Sequence, residues 1–323
     1  MPQEPGAVTA LLDSSTEHMT ETQSEAYRPE GPGNQGRIEN RAPTLRTRED
    51  PANIVSITAP FGVSPQGQLG LALSLLEAPS QMPMALPASH LTDALSFQGL
   101  VDKFQLEPRF CPVFKDFLTY LFYGGLFYRK YFSPTNRAAD LPVAFLFNPA
   151  VSSLAERYYP SDTGALEKME ADEGLDEVKG FRTRFCALGG DPATLCKMVH
   201  YIFETNDRYL FGEPRAECRN LPDPLPDLFK LFSRDLSERG IDQRFRRFEL
   251  HFRRPISLKD LIWVAYPEGS DREFAMLYEK IKPQMPQYYR YKWYKNFRPA
   301  ELAAELQSKA REMAIDRYMK LPG

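Results

Sequence analysis

The chain has 323 residues, of which 42% are hydrophobic and 12% aromatic, enough apolar side chains for one large domain or two small ones. Its 40 lysines and arginines and 43 aspartates and glutamates leave a formal charge of −3, so no global field draws the chain to nucleic acid or anionic lipid. No apolar run reaches the roughly 18 residues that a membrane-spanning helix needs, and no secretory signal pattern precedes the body of the chain. These features predict a cytoplasmic protein.

The four cysteines, Cys111, Cys186, Cys196 and Cys218, lie far apart and form no C-x-x-C pair. This spacing favours a reduced chain over a disulfide framework or a structural zinc site. Only four histidines are present, so we predict no metal site built from histidine ligands.

The N-terminal part of the chain has the composition of a disordered segment. Residues 1 to about 52 are rich in Pro, Gly, Ser, Thr, Gln and Glu, and Tyr27 is their only aromatic residue, so they bury too little apolar surface to offset the entropy of ordering. Residues 53–80 are more apolar but broken by Pro and Gly, which allows one short strand and one short helix. We predict a largely disordered tail over 1–80 and a single domain over 81–323.

The first half of that domain contains three apolar segments. A strand is predicted over 84–91, and Thr92 or Asp93 caps the helix that follows it. The aromatic segment 113–123 fits a helix or a strand equally well, because its periodicity does not decide between them. Residues 143–147 form a short apolar run that ends at an Asn-Pro pair, as a buried strand does.

The second half supplies further elements. Residues 160–192 are polar and predict a surface insertion or loop with one helix. The following elements come next: a helix from Pro192, a helix at 225–238, strands at 245–254 and 261–266, a helix capped by Ser270 and Glu273, and a C-terminal helical extension from Pro299 to Tyr318. Because strands and helices do not alternate regularly, we predict an α+β fold with a mixed or antiparallel sheet core and flanking helices.

The stretch 244–253 carries the pattern most suggestive of chemistry. Read with a period of two, Phe248, Leu250 and Phe252 fall on one face, and Arg247, Glu249 and His251 fall on the other. The second face then presents a guanidinium, a carboxylate and an imidazole about 6–7 Å apart. A surface strand with ordinary ion pairs has the same pattern, so the pattern alone leaves both interpretations open.

Common catalytic motifs are absent from the sequence, including a P-loop, G-x-G-x-x-G after a strand, H-E-x-x-H and G-x-S-x-G. The remaining order is a histidine on an early strand (His90-Leu91-Thr92), then a tyrosine-rich segment, then a late strand with Glu249. This order resembles the His–Tyr–Glu arrangement of the ADP-ribosyltransferase superfamily, across about residues 84–266. The segments 120–129 and 159–165 also resemble uncharacterised bacterial proteins associated with that superfamily.

The resemblance implies an enzyme that cleaves NAD and transfers ADP-ribose to a macromolecular acceptor, as bacterial toxins or defence effectors of the superfamily do. It implies Glu249 and His90 as catalytic residues, with Glu249 stabilising positive charge on the ribose and His90 orienting the cofactor. The cofactor-binding residues that it implies are His90, Thr92, Tyr120, Tyr123, Tyr128 and Arg247. Which tyrosine stacks on nicotinamide is left open.

A second hypothesis is a non-catalytic binding module. The segment 288–298 alternates cations with aromatic residues, a pattern that can stack bases and contact the phosphates of single-stranded nucleic acid. Its candidate nucleic-acid-binding residues are Arg290, Lys292, Trp293, Lys295 and Arg298. An extended segment that packs its aromatic side chains on the core, with its cations outward, gives the same pattern.

Overall fold

The computed structural model describes residues 67–126, 137–171, 174–216, 220–235, 243–284, 286–294 and 299–318. All of them belong to the compact unit Pro60–Gly323. The predicted tail up to residue 66 therefore lies outside the described residues.

The described residues form the following helices: α1 Gly67–Leu75, α2 Ala94–Lys103, α3 Thr163–Ala171, α4 Phe181–Arg184, α5 Pro192–Phe203, α6 Asn206–Phe211, α7 Leu225–Ser233, α8 Asp271–Ile281 and α9 Pro299–Tyr318. They form the following strands: β1 Ala88–Asp93, β2 Gln105–Leu106, β3 Arg109–Cys111, β4 Asp116–Tyr123, β5 Pro142–Phe147, β6 Arg157–Tyr159, β7 Ala187–Leu188, β8 Glu249–Phe252, β9 Ile256–Ser257, β10 Leu261–Pro267 and β11 Gln287–Tyr291.

One large sheet organises the domain, with the strand order β11-β10-β5-β1-β4-β8-β6-β7 and with β3 paired to β4. The described strand pairs of this sheet are antiparallel except for β10 and β11, which α8 joins as parallel neighbours. The α+β class with a mixed, mostly antiparallel sheet is thus confirmed.

Both faces of the sheet are covered, which the alternation along β5 shows. Val143, Phe145 and Phe147 face the main core, which α2 and α8 also contribute to. Ala144 and Leu146 face a second core that the apolar stripe of α9 covers. Since side chains alternate across a strand, an uninterrupted apolar run is what a strand buried on both faces requires. The C-terminal helix is therefore part of the core and not an appendage.

The folded domain begins before residue 81, because α1 is part of its core. Leu69, Ala72 and Leu73 are at most 2% exposed, and the amide of Gly70 donates to the carbonyl oxygen of Cys186 over 3.2 Å. The Pro and Gly residues on either side end the helix but do not exclude it from the core. The sequence allowed one short helix within 53–80, and α1 is a helix in that range that packs in the core.

The stretch 160–192 is not a surface insertion. It holds α3, α4 and β7, and Phe181 and Phe185 are fully buried. The acidic residues of this stretch lie between the apolar positions that face the core. Its overall composition therefore resembles that of a surface segment.

Local signals fix several other boundaries. The sequence predicted Thr92 or Asp93 as the cap of α2. The cap is Asp93, whose side chain accepts from the amide of Ser96 over 2.8 Å. The ambiguous segment 113–123 is the strand β4. Ser270 precedes α8 but makes no side-chain cap hydrogen bond, so the predicted capping box is absent there.

Helix α1 offers a direct test of where the domain starts. We expect Leu73→Ala to lower the free energy of unfolding by about 2–4 kcal/mol, because it opens a cavity in the core. Leu75→Ala, at a position that is 77% exposed in the same helix, is the matched control and should change it by less than about 0.5 kcal/mol. Urea unfolding of the two variants checks this, and equal effects would contradict the assignment of α1 to the core.

Candidate active site

The sheet opens between β1 and β4. These strands pair only at Ala88–Tyr123 and Ser89–Phe122, whereas β1 stays paired with β5 along its whole length. Beyond Ser89 the gap is bridged by a side chain, since His90 Nδ1 lies 3.1 Å from the carbonyl oxygen of Tyr120. An opening between two strands in the middle of a sheet exposes groups that are otherwise buried.

A cavity of about 520 Å³ lies at this opening, and we call it the carboxylate cavity. His90 on β1, Tyr120 on β4 and Glu249 on β8 all line it, together with the first turn of α3. Its volume is within the range of small-molecule sites. The three residue types of the resemblance therefore meet at one cavity.

Glu249 is held from two sides. It is 6% exposed, and its Oε2 accepts the amide of Thr163 over 2.8 Å at the N-terminus of α3. The same oxygen lies 3.2 Å from His251 Nε2. Both contacts fall on Oε2, and Oε1 makes no hydrogen bond with the residues that the structure describes. One oxygen of this cavity-lining carboxylate is thus anchored by two hydrogen bonds, and the other has none.

His90 is neutral over the physiological range. Burial lowers its pKa from 6.5 to about 4, the hydrogen bond to the Tyr120 carbonyl opposes this change, and the charge of Arg109 adds to it. Because a carbonyl oxygen can only accept, the neutral ring carries its proton on Nδ1. Its Nε2 is therefore an acceptor, suited to a hydroxyl group.

Aromatic side chains complete the wall of the cavity. Tyr120 lines it, and the ring of Tyr120 stands edge-on to His251 at 4.8 Å between centroids. Burial raises the pKa of the Tyr120 hydroxyl, and the nearby Cys111 and Glu249 raise it further. The phenol is therefore neutral, and because its hydroxyl oxygen is buried, Tyr120 contributes an aromatic surface beside the carboxylate.

A second cavity of about 420 Å³, which we call the α2 groove, shares His90 and Tyr120 with the first. It is lined on one side by α2, including Gly99, and on the other by the segment that carries Arg109. A Cβ atom added at Gly99 would meet no atom within 4 Å. Glycine inside a helix costs about 1 kcal/mol, and at Gly99 no packing contact requires it.

Several predicted cofactor-binding residues do not reach either cavity. Tyr123 is three residues after Tyr120 in β4, and since side chains alternate along a strand it lies on the opposite face. There its hydroxyl accepts from the amide of Leu86 over 2.9 Å. Thr92 is half-buried on β1 and lines neither cavity. Tyr128 lies outside the described residues.

Arg247 was predicted to share a face with Glu249, and this was wrong. The strand β8 starts only at Glu249, after a turn of 3-10 helix at Gln243–Arg246, so the alternation does not extend back to Arg247. Its buried guanidinium donates to the carbonyl oxygens of Tyr209 and Leu210 at the end of α6. Burial lowers its pKa to about 10, and it stabilises the helix end.

The surface-strand interpretation of 244–253 was also wrong, because all four residues of β8 are buried. Its alternation nevertheless places Glu249 and His251 side by side, as predicted.

The basic and aromatic segment is the edge strand β11 and the residues after it. Arg290 is paired with Asp271 at 2.6 Å and with Glu268 at 3.0 Å. Trp293 is half-buried and donates its Nε1–H to the carbonyl oxygen of Glu268 over 3.1 Å. Lys292 is exposed, while Lys295 and Arg298 lie outside the described residues. Since β11 is three strands from β1, it lies roughly 14 Å from the cavity-bearing strand.

The sequence-based prediction missed several residues at the cavity. Asp162 accepts the amide of Ala165 over 2.9 Å and so begins α3, whose first amide holds Glu249. The local signal was an aspartate followed by Thr-Gly-Ala and an apolar position, which is a helix start. Cys111 and Arg109 had no such signal, because they reach the cavities only through the β3–β4 pairing.

No family model matches the chain, and no curated protein matches it. Solved structures similar to it include DarT from Thermus sp. 2.9 in complex with NAD+, with 8% identity and a TM-score of 0.33 over 65% of this chain and 98% of that chain. The same protein in complex with ADP-ribosylated ssDNA has 8% identity and a TM-score of 0.33, over 65% and 96%. Likeness at this level does not assign a family or an activity.

Among the described residues, no group of His, Cys, Asp and Glu is arranged to hold a metal ion. In the same part of the chain, no helix has both the length and the apolar character needed to cross a membrane.

The protonation of His90 can be measured. We expect its ring to titrate near pH 4 in an NMR pH series, with the resonance assigned by its loss in His90→Gln. Because the folded pKa is below the unfolded value of 6.5, the stability from this group is complete above about pH 6.5 and is lost as the pH falls towards 4. A midpoint near 6.5 would contradict the enclosed, neutral histidine.

Proposed function

We propose that this chain is an ADP-ribosyltransferase-like enzyme that cleaves NAD and transfers ADP-ribose to a macromolecular acceptor. The observation that carries the proposal is that His90, Tyr120 and Glu249, taken from three strands, line one cavity. Action in the bacterial cytoplasm as a toxin or defence effector belongs to the same proposal. It rests on the resemblance of these three residues to the superfamily's pattern.

The residues present fit NAD as a substrate. The carboxylate cavity offers a carboxylate oxygen, an aromatic ring and an imidazole acceptor, and the adjoining α2 groove offers further room beside Arg109 and Lys103. NAD supplies a nicotinamide–ribose bond whose cleavage develops positive charge on the ribose. A guanidinium is well suited to a diphosphate, so we assign the α2 groove to the other half of the molecule.

Each side chain then has one task. Oε1 of Glu249 accepts from a ribose hydroxyl and stabilises the developing positive charge, in a site where little water screens it. Nε2 of His90 accepts from the second ribose hydroxyl and fixes the orientation of the sugar. Tyr120 offers its ring to the nicotinamide, because its face on β4 is the one turned to the cavity.

The main alternative, a binding module that uses 288–298, has less support. Arg290 and Trp293 are already engaged within the protein, so two of its candidate contacts are not available without breaking these interactions. We therefore include nucleic acid in the test below as an acceptor of ADP-ribose, and we do not propose that binding nucleic acid is the main function of the chain.

The direct test is release of nicotinamide from NAD by the purified full chain, with total nucleic acid and with lysate protein as acceptors. We expect Glu249→Gln to lower the rate by about 10²–10³-fold, because it removes the charge and keeps the shape. Glu301→Gln, at an exposed position of α9, is the control and should leave the rate unchanged. A folded wild-type chain that releases no nicotinamide with any acceptor would overturn the proposal and shift attention to 288–298.

Gly99 tests the α2 groove separately. We expect Gly99→Phe to weaken NAD binding at least about 10-fold in calorimetry by filling the groove, whereas Gly99→Ala should bind normally and be more stable by up to about 1 kcal/mol. Unchanged binding in Gly99→Phe would show that the substrate does not use this groove.

A further inference from the structure

His251 is the neighbour of Glu249 that the proposed reaction does not use. It follows Glu249 by two residues on the same face of β8, and it is only 1% exposed. It does not line the carboxylate cavity. A ligand in that cavity is therefore out of its reach, and any effect of His251 on the chemistry has to pass through another residue.

The imidazole has a fixed position, because three rings enclose it. Tyr159 lies 4.8 Å away between centroids at an interplanar angle of 31°, while Phe114 stands edge-on at 5.0 Å and Tyr120 at 4.8 Å. Tyr159 is itself tied to the backbone, since its hydroxyl donates to the carbonyl oxygen of Arg182 over 2.8 Å. Rotation of the imidazole would displace these rings.

The hydrogen bond to Glu249 sets which nitrogen carries the proton. An ionised carboxylate can only accept, so Nε2 of His251 donates to Oε2 over 3.2 Å. In the neutral ring Nδ1 is then an acceptor, and it is buried without a partner in the described structure. A buried polar atom without a partner costs stability, which an apolar side chain such as phenylalanine would avoid. Packing alone therefore does not explain a histidine here.

We propose that His251 is a positioning residue for Glu249. Together with the amide of Thr163 it holds Oε2, and the carboxylate is thereby turned so that Oε1 faces the cavity. This inference rests on the proposed function, in which Oε1 meets the ribose. In this inference His251 acts only through Glu249. The two carboxylate oxygens then have different tasks: Oε2 is anchored within the protein, and Oε1 meets the ribose.

The test compares three substitutions that differ in the donor they offer. Gln places an amide N–H near the position of Nε2, Asn reaches only the position of Nδ1, and Phe has no donor. We expect His251→Phe and His251→Asn to lower kcat for nicotinamide release by about 10–100-fold while KM changes less than about threefold. His251→Gln should stay within about fivefold of wild type, because it retains the donor to Oε2.

The controls separate a positioning role from general damage. His200→Phe makes the same exchange on α5, away from both cavities, and should leave kcat unchanged. Melting temperatures confirm folding, and His251→Asn alone suffices if His251→Phe does not fold. Full activity in the Asn variant, or an equal loss in the Gln and Asn variants, would overturn the inference.

Failure of this inference is distinguishable from failure of the proposed function. If Glu249→Gln abolishes nicotinamide release but His251→Asn does not, Glu249 acts without help from His251 and only the inference falls. If nicotinamide release survives Glu249→Gln, or the folded wild-type chain has none, the proposed function falls and the inference falls with it.

Discussion

The separation of β1 from β4 after Ser89 is the constraint on which the candidate site depends. β1 is bonded to β5 along its whole length, and β4 is bonded to β8, so each strand has a partner on the side away from the gap. The hydrogen bond from His90 to the Tyr120 carbonyl bridges the gap at one point. The cavity lies where the two strands separate, and the carboxylate of Glu249 reaches it from β8, on the other side of β4.

The electrostatics of the cavity follow from that geometry. His90 and the phenol of Tyr120 are neutral. The charged residues that line the two cavities are the following: Asp162, Glu167, Lys168 and Glu249 at the carboxylate cavity, and Lys103, Glu107 and Arg109 at the α2 groove. Glu249 is close to a helix N-terminus, where a carboxylate is stabilised by the amide of Thr163 and by the helix dipole. The hydrogen bond from Thr163 fixes one oxygen of this nearly buried carboxylate.

The sequence predicted what local patterns determine. The cap at Asp93, the buried run of β5 and the stripe of α9 need no tertiary information, and each is where the pattern puts it. The pairing of Glu249 with His251 on one face also follows from period two. The same rule places Tyr120 and Tyr123 on opposite faces, but only the pairing of β4 between β1 and β8 decides which face meets the cavity. For Arg247 the pattern failed, because nothing in the sequence marked the start of β8.

The central claim is that His90, Tyr120 and Glu249 form one nicotinamide riboside site. Its most direct test is an experimental structure of the chain with a non-hydrolysable NAD analogue. The account predicts that the ribose hydroxyls lie within hydrogen-bonding distance of His90 Nε2 and Glu249 Oε1, with the nicotinamide against Tyr120. An analogue bound elsewhere, or a ribose that contacts neither side chain, would contradict it.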